Sequence, residues 1–82
     1  RASKAPRRPR LVAAARFRGL LKLTIRGRGI GYEVLVNGRV VTRTRSSSPT
    51  VRTRAARAGA AVRVRAYNDA GLSPASNAIR VA

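Results

Sequence analysis

An all-β fold, a two-sheet antiparallel β-sandwich of about seven short strands, is what this 82-residue sequence predicts. Three observations point there. Aliphatic residues alternate in phase with polar ones, as in Leu21-Lys22-Leu23-Thr24-Ile25 and Val62-Arg63-Val64-Arg65-Ala66. Successive side chains of a strand point to opposite faces, so this alternation gives each strand one apolar and one polar face. Turn residues punctuate these runs at short intervals, and no stretch sustains the 3.6-residue period of a helix. Short strands without helices bury their apolar faces by packing one sheet on another.

Residues 1–10, RASKAPRRPR, are expected to form a basic, flexible arm that contributes nothing to the core. Arg1, Lys4, Arg7, Arg8 and Arg10 are cationic, and Pro6 and Pro9 interrupt helix and ladder alike. The sandwich is expected over 11–82, with a first strand from Leu11 to Ala15 and a second over Leu21 to Ile25, broken by Gly27, Gly29 and Gly31. Tyr32, Val34 and Val36 alternate with Glu33 and Leu35 in a third strand. Asn37-Gly38 follows directly. Both residues tolerate positive φ, so the pair predicts a two-residue type I′ turn joining 32–36 to 39–43 within a return strand from Arg39 to Arg45. Ser46-Ser47-Ser48-Pro49 is a loop, and Val51, Thr53 and Ala55 against Arg52 and Arg54 suggest another strand. Ala58-Gly59 turns the chain into the strand of Val62, Val64 and Ala66. Asn68 to Gly71 is a turn, and Ser73-Pro74 leads to a last short strand around Ala78 to Val81.

Composition narrows function sharply. Seventeen Arg and two Lys stand against Glu33 and Asp69 alone, a formal charge of +17. There is no Cys, hence no disulfide, thiol nucleophile or zinc finger, and no His to serve as general base or metal ligand. Two carboxylates leave little for acid–base chemistry, and the serines at 46–48 have no base in an evident constellation. No enzyme activity, cofactor or metal is therefore expected. The Gly27-Arg28-Gly29-Ile30-Gly31 run lacks the spacing of a phosphate loop and the helix that should follow it, and reads as a turn between strands. At 44% hydrophobic residues the chain is too apolar for a disordered basic tail, yet no apolar run approaches the roughly 20 residues of a membrane span. Neither a transmembrane segment nor a signal peptide is expected. A start at Arg1 with no Met anywhere fits a processed protein or an excerpt of a longer one.

The cations fall on the polar phase of their strands. Lys22 and Arg26 do so on the second strand, Arg52 and Arg54 on the fifth, and Arg63 and Arg65 on the sixth. Both outer faces should then be basic, a coat rather than one patch. With Arg7, Arg8 and Arg10 of the arm, these nine residues are the candidate polyanion contacts, since guanidinium meets phosphate and carboxylate as a planar fork. Tyr67 shares the phase of Arg63 and Arg65 and is a candidate for stacking on a nucleic-acid base. Leu35 points outward on the third strand and, with Tyr67, would give an exposed apolar spot.

GYEVLVNGRVV and, after a loop, VRVRAYNDAGLSPASNAIRV resemble the fibronectin type III family. The resemblance spans about residues 9–82. It implies that 21–25 is strand B, 32–36 strand C, 39–45 strand C′ and 62–68 strand F, with Ser73-Pro74-Ala75-Ser76-Asn77 leading into strand G. The strand B segment and the strand of Val51, Thr53 and Ala55, which would be strand E, would then share one sheet, and those of C, F and G the other. Where the family usually carries Trp at the end of strand B this chain has Ile25, and where it has a large residue at the start of strand F this chain has Ala60-Ala61. Two readings follow. One is a non-enzymatic binding module that contacts polyanions, nucleic acid first, by non-specific phosphate contacts, with acidic polysaccharide or an acidic protein surface as other partners. The other, implied by the resemblance, is a structural or assembly module of an extracellular protein, filament or adhesin that meets neighbouring subunits. The first places the protein with nucleic acid, the second outside the cell or in a surface assembly. An engineered supercharged scaffold would carry the same composition.

Overall fold

In the computed structural model, which describes residues 3–82, eight strands and no helix are present among the described residues. They are β1 (Arg10–Phe17), β2 (Leu20–Arg26), β3 (Gly31–Val36), β4 (Arg39–Thr44), β5 (Thr50–Arg52), β6 (Ala61–Asn68), β7 (Gly71–Leu72) and β8 (Ile79–Arg80). Two antiparallel sheets result. One has the order β1-β2-β5, the other β4-β3-β6-β7 with β8 also paired to β6. Period-two alternation sends Leu21, Leu23 and Ile25 of β2 and Val62, Val64 and Ala66 of β6 into the space between the sheets. There they meet Leu11, Tyr32, Val34, Val36, Val51 and Val81 in one buried cluster.

Two hairpin tips set the register. Asn37 and Gly38 take φ of 51° and 82°, as the type I′ turn requires, and Asn37 is further tied to β6 through the Ala61 backbone in both directions. Arg18 and Gly19, with φ of 51° and 75°, make a second two-residue turn that pairs Phe17 with Leu20. That hairpin was not anticipated, because Arg-Gly is not one of the dipeptides whose side chain favours the left-handed region. The β3–β4 pairing also departs from a simple hairpin. Leu35 faces Val40, but Val34 faces Thr42, so Val41 is the extra residue of a bulge and packs toward the core. Beyond it every β4 residue is displaced by one, and Glu33 faces Arg43 rather than Thr42.

Several expected boundaries move. The first strand begins at Arg10, so Arg10 belongs to the sheet and not to an arm. Pro9 is buried directly over Gly27, while the core cluster itself begins at Leu11. β5 stops at Arg52, short of the expected Ala55, because the Thr53 hydroxyl accepts the Ala55 N–H at 3.1 Å in place of a ladder partner. Arg54 therefore lies beyond the strand. Gly71, expected in a turn, opens the short strand β7 opposite Asn68.

The segment 73–77 closes one side of the sandwich without being a strand. Ser73 and Ser76 are buried. Their backbone N–H groups donate to the Ala66 and Val64 carbonyls, while their hydroxyls accept the Ala66 and Val64 N–H at 2.8 and 2.9 Å. Two serines thus complete the free edge of β6, each hydroxyl standing in for a backbone carbonyl. Asn77 reaches the other sheet. Its Oδ1 accepts the Leu11 N–H and its Nδ2 donates to the Leu11 carbonyl, each at 2.9 Å. One pentapeptide therefore joins β6 to β1.

Two substitutions test this frame. Gly38→Val forces a β-branched residue to positive φ and should cost about 1–3 kcal/mol, lowering the melting temperature by roughly 5–15 °C for a domain of this size. Asn77→Ala leaves both polar groups of buried Leu11 without a partner and should cost about 1–3 kcal/mol, read as a lower urea midpoint at unchanged slope.

Candidate polyanion-binding surfaces

The outer face of the three-stranded sheet is built by β2, whose outward residues Lys22, Thr24 and Arg26 alternate with the buried ones. The register places Arg10 directly across from Arg26, Ala15 and Thr50 on either side of Lys22, and Arg52 beside Leu20. Arg10, Lys22, Arg26 and Arg52 thus share one exposed face over the length of β2, about 20 Å at roughly 3.3 Å per residue. No carboxylate lies on the strands of this sheet. Like charges directly opposite, as in Arg10 and Arg26, are destabilising, so an anion laid between them relieves a local strain. At the Arg52 end, Phe17 and Leu20 form an apolar rim, with the Arg18 guanidinium 5.3 Å from the Phe17 ring centroid. At the Arg26 end, Arg7 and Arg8 line a cavity together with Arg28.

The opposite outer face has a different electrostatic design. Arg63 faces Leu35 and Arg65 faces Glu33 across β3 and β6, while the bulge brings Arg43 to Glu33 from the other side. Arg43 donates to Glu33 Oε2 from Nε and Nη2, at 2.9 and 2.8 Å. Arg65 Nη2 lies 3.1 Å from Oε1 but off the hydrogen-bonding direction, so Oε1 and Arg65 Nε have no hydrogen-bond partner among the described residues. The Glu33 side chain is only 6% exposed. Two arginines thus close over one carboxylate, and Leu35 beside it is buried too, at 7%. Leu35 is therefore not the exposed apolar residue expected; it lies between Arg63 of β6 and half-exposed Val40 of β4.

Tyr67 keeps the expected phase but is already engaged. It lies across Gly31 on the neighbouring strand, so closely that a Cβ at Gly31 would meet its hydroxyl at 2.6 Å, and the Arg43 guanidinium stands 5.0 Å from its ring centroid. Stacking a base there requires Arg43 to leave.

Of the nine sequence-derived cations, Arg10, Lys22, Arg26 and Arg52 share the three-stranded face, and Arg7 and Arg8 adjoin it. Arg63 and Arg65 are on the other sheet, Arg65 being turned to Glu33, and Arg54 lies in the turn after β5. Sequence reasoning missed Arg28 at the cavity and Arg43 on Glu33. A signal for the second existed, a lone acid on the polar phase of a strand in a chain of arginines, but its partner depended on the bulge.

Glu33→Gln should destabilise the domain by about 1–2 kcal/mol at low salt, since two arginines then face each other across β3. Thermal unfolding at about 50 mM and about 1 M salt checks the cause. A charge effect shrinks in the higher salt, whereas a packing defect does not. In comparisons with protein-family models, characterised proteins and solved structures, this chain has no match.

Proposed function

We propose that this chain is a fibronectin type III-like, non-enzymatic binding module that contacts polyanions, nucleic acid foremost, through phosphate contacts without base readout. The sheet membership of the strands supports the family part of this reading. β2 and β5 share one sheet while β3, β6 and β8 share the other, the division that the resemblance implies for strands B and E against C, F and G. The segment 73–77 also sits where the resemblance puts the approach to strand G.

The observation that carries the functional part is the acid-free outer face of β1, β2 and β5, with Arg10, Lys22, Arg26 and Arg52 aligned along it and Arg7, Arg8 and Arg28 at one end. These groups neutralise phosphates and release condensed counterions, a sequence-independent source of affinity. The face is a flat sheet surface, and no helix among the described residues stands ready to enter a groove.

Binding to one DNA duplex and one scrambled duplex, measured between about 50 and 200 mM salt, tests the reading. Six neutralised phosphates give a log–log slope of about −5, equal for the two sequences. Replacing Lys22, Arg26 and Arg52 together by Ser should reduce that slope by about 3, and Arg63→Ser alone by no more than about 1. A flat salt response removes the polyanion reading. Equal affinity for heparin moves the natural partner toward any acidic surface, a neighbouring subunit included.

A further inference from the structure

The cavity at the Arg26 end is more than part of a coat. It has a volume of about 380 Å³, and its lining is Ala5, Pro6, Arg7, Arg8, Gly27 and Arg28. That volume is in the range of small-molecule sites, which span about 300–1,000 Å³. One wall is the segment 5–8, and it is held at both ends. The Asn68 side-chain amide donates to the Lys4 carbonyl at 2.8 Å on one side, and buried Pro9 lies over Gly27 on the other. The facing wall is the β2–β3 turn, which is held as well: the Tyr32 hydroxyl donates to the Gly27 carbonyl at 3.0 Å. Three arginine residues therefore border an open, mostly apolar cleft whose walls are held by contacts outside it, and no carboxylate contributes to the lining.

We infer that this cavity is a discrete site for a phosphomonoester carried on an apolar or flat body, as a nucleotide carries it. The inference rests on the polyanion reading and narrows it. The chemistry of the lining divides in two. Arg7, Arg8 and Arg28 supply planar forks, which match the several oxygens of a terminal phosphate dianion better than the single charge of a chain-internal phosphodiester. Ala5, the Pro6 ring and the bare Gly27 backbone supply an apolar wall for the attached body. The concave form selects in the same direction. A duplex backbone runs on past any one contact and suits the open sheet face, whereas a cavity admits a small anion or a chain end. The terminal phosphate has two sources, a free nucleotide and the phosphorylated end of a nucleic-acid strand.

Calorimetric titration of the whole chain with AMP and with adenosine tests this, alongside a short oligothymidylate bearing either a 5′-phosphate or a 5′-hydroxyl. AMP should saturate one site per chain, and adenosine should bind at least tenfold more weakly. Preference for the 5′-phosphorylated over the 5′-hydroxyl strand assigns the strand end as a source, and equal binding of the two strands beside tight AMP binding assigns the free nucleotide. Arg28→Ser and Arg7→Ser should each weaken AMP binding about tenfold or more, Arg28→Lys by less, and Arg63→Ser not at all. Circular dichroism and melting of each variant establish that it is folded. Multiple equivalent AMP sites, or equal loss in Arg63→Ser and Arg28→Ser, overturn the inference. The polyanion reading then still stands if duplex binding keeps its steep salt slope, and it falls separately if that slope is flat.

Discussion

The apolar layer between the two sheets is the constraint on which the rest of this domain depends, because little else in the chain opposes its own charge. That layer is made of Leu, Ile, Val and Ala, with Tyr32 its one aromatic member. Leu11, Leu21, Val34, Val36, Val62 and Val64 are almost completely enclosed. Side chains of this size fill the roughly 10 Å between packed sheets only if nearly every inward position is used. Ala56 and Ala60 are part of it, where a bulkier core would seat larger residues. The same alternation that sends each aliphatic residue inward sends its arginine neighbour outward. The core and the cationic surface are thus two aspects of one period, and neither can be shifted by a residue without exchanging them.

Glu33 introduces an asymmetry into that surface. On the five-stranded sheet it lies under Arg43 and Arg65, and β3 becomes a strand buried on both faces. That sheet supplies its own counterion from within. The three-stranded sheet has none, so its demand for negative charge is turned outward. The difference between the two faces comes from one carboxylate, and that carboxylate is engaged by Arg43 because of one extra residue in β4.

Much of the fold was legible because it follows from period and turn chemistry. The alternation of Leu21, Leu23 and Ile25, that of Val62, Val64 and Ala66, and the Asn37-Gly38 turn all lie where the sequence reading puts them. What escaped depends on choices that a single strand does not encode. The Arg18-Gly19 turn uses a residue with no intrinsic taste for positive φ and is held by the pairing around it. The early end of β5 depends on a local Thr53 bond winning over a ladder. For the surface, the polar phase of each arginine was readable, but not which arginines would be neighbours. Arg10 meets Arg26 through the β1–β2 register, and Arg7, Arg8 and Arg28 meet because Pro9 folds the N-terminal segment onto Gly27.

The pentapeptide that ties β6 to β1 has a consequence for the order in which the domain assembles. Its Asn77 contact closes a loop of 66 residues, among the longest the chain can make. During synthesis β1 emerges before its partner and must wait, with Leu11 unsatisfied on its outer side, until Asn77, 66 residues on, has followed. Long-range closures of this kind come slowly, since chain entropy is lost before the contact repays it. In that interval β1 is an open edge of a strongly cationic chain. Its charge holds identical nascent copies apart while the chain waits for its own Asn77. The charge that coats the finished domain thereby also keeps its unfinished copies apart.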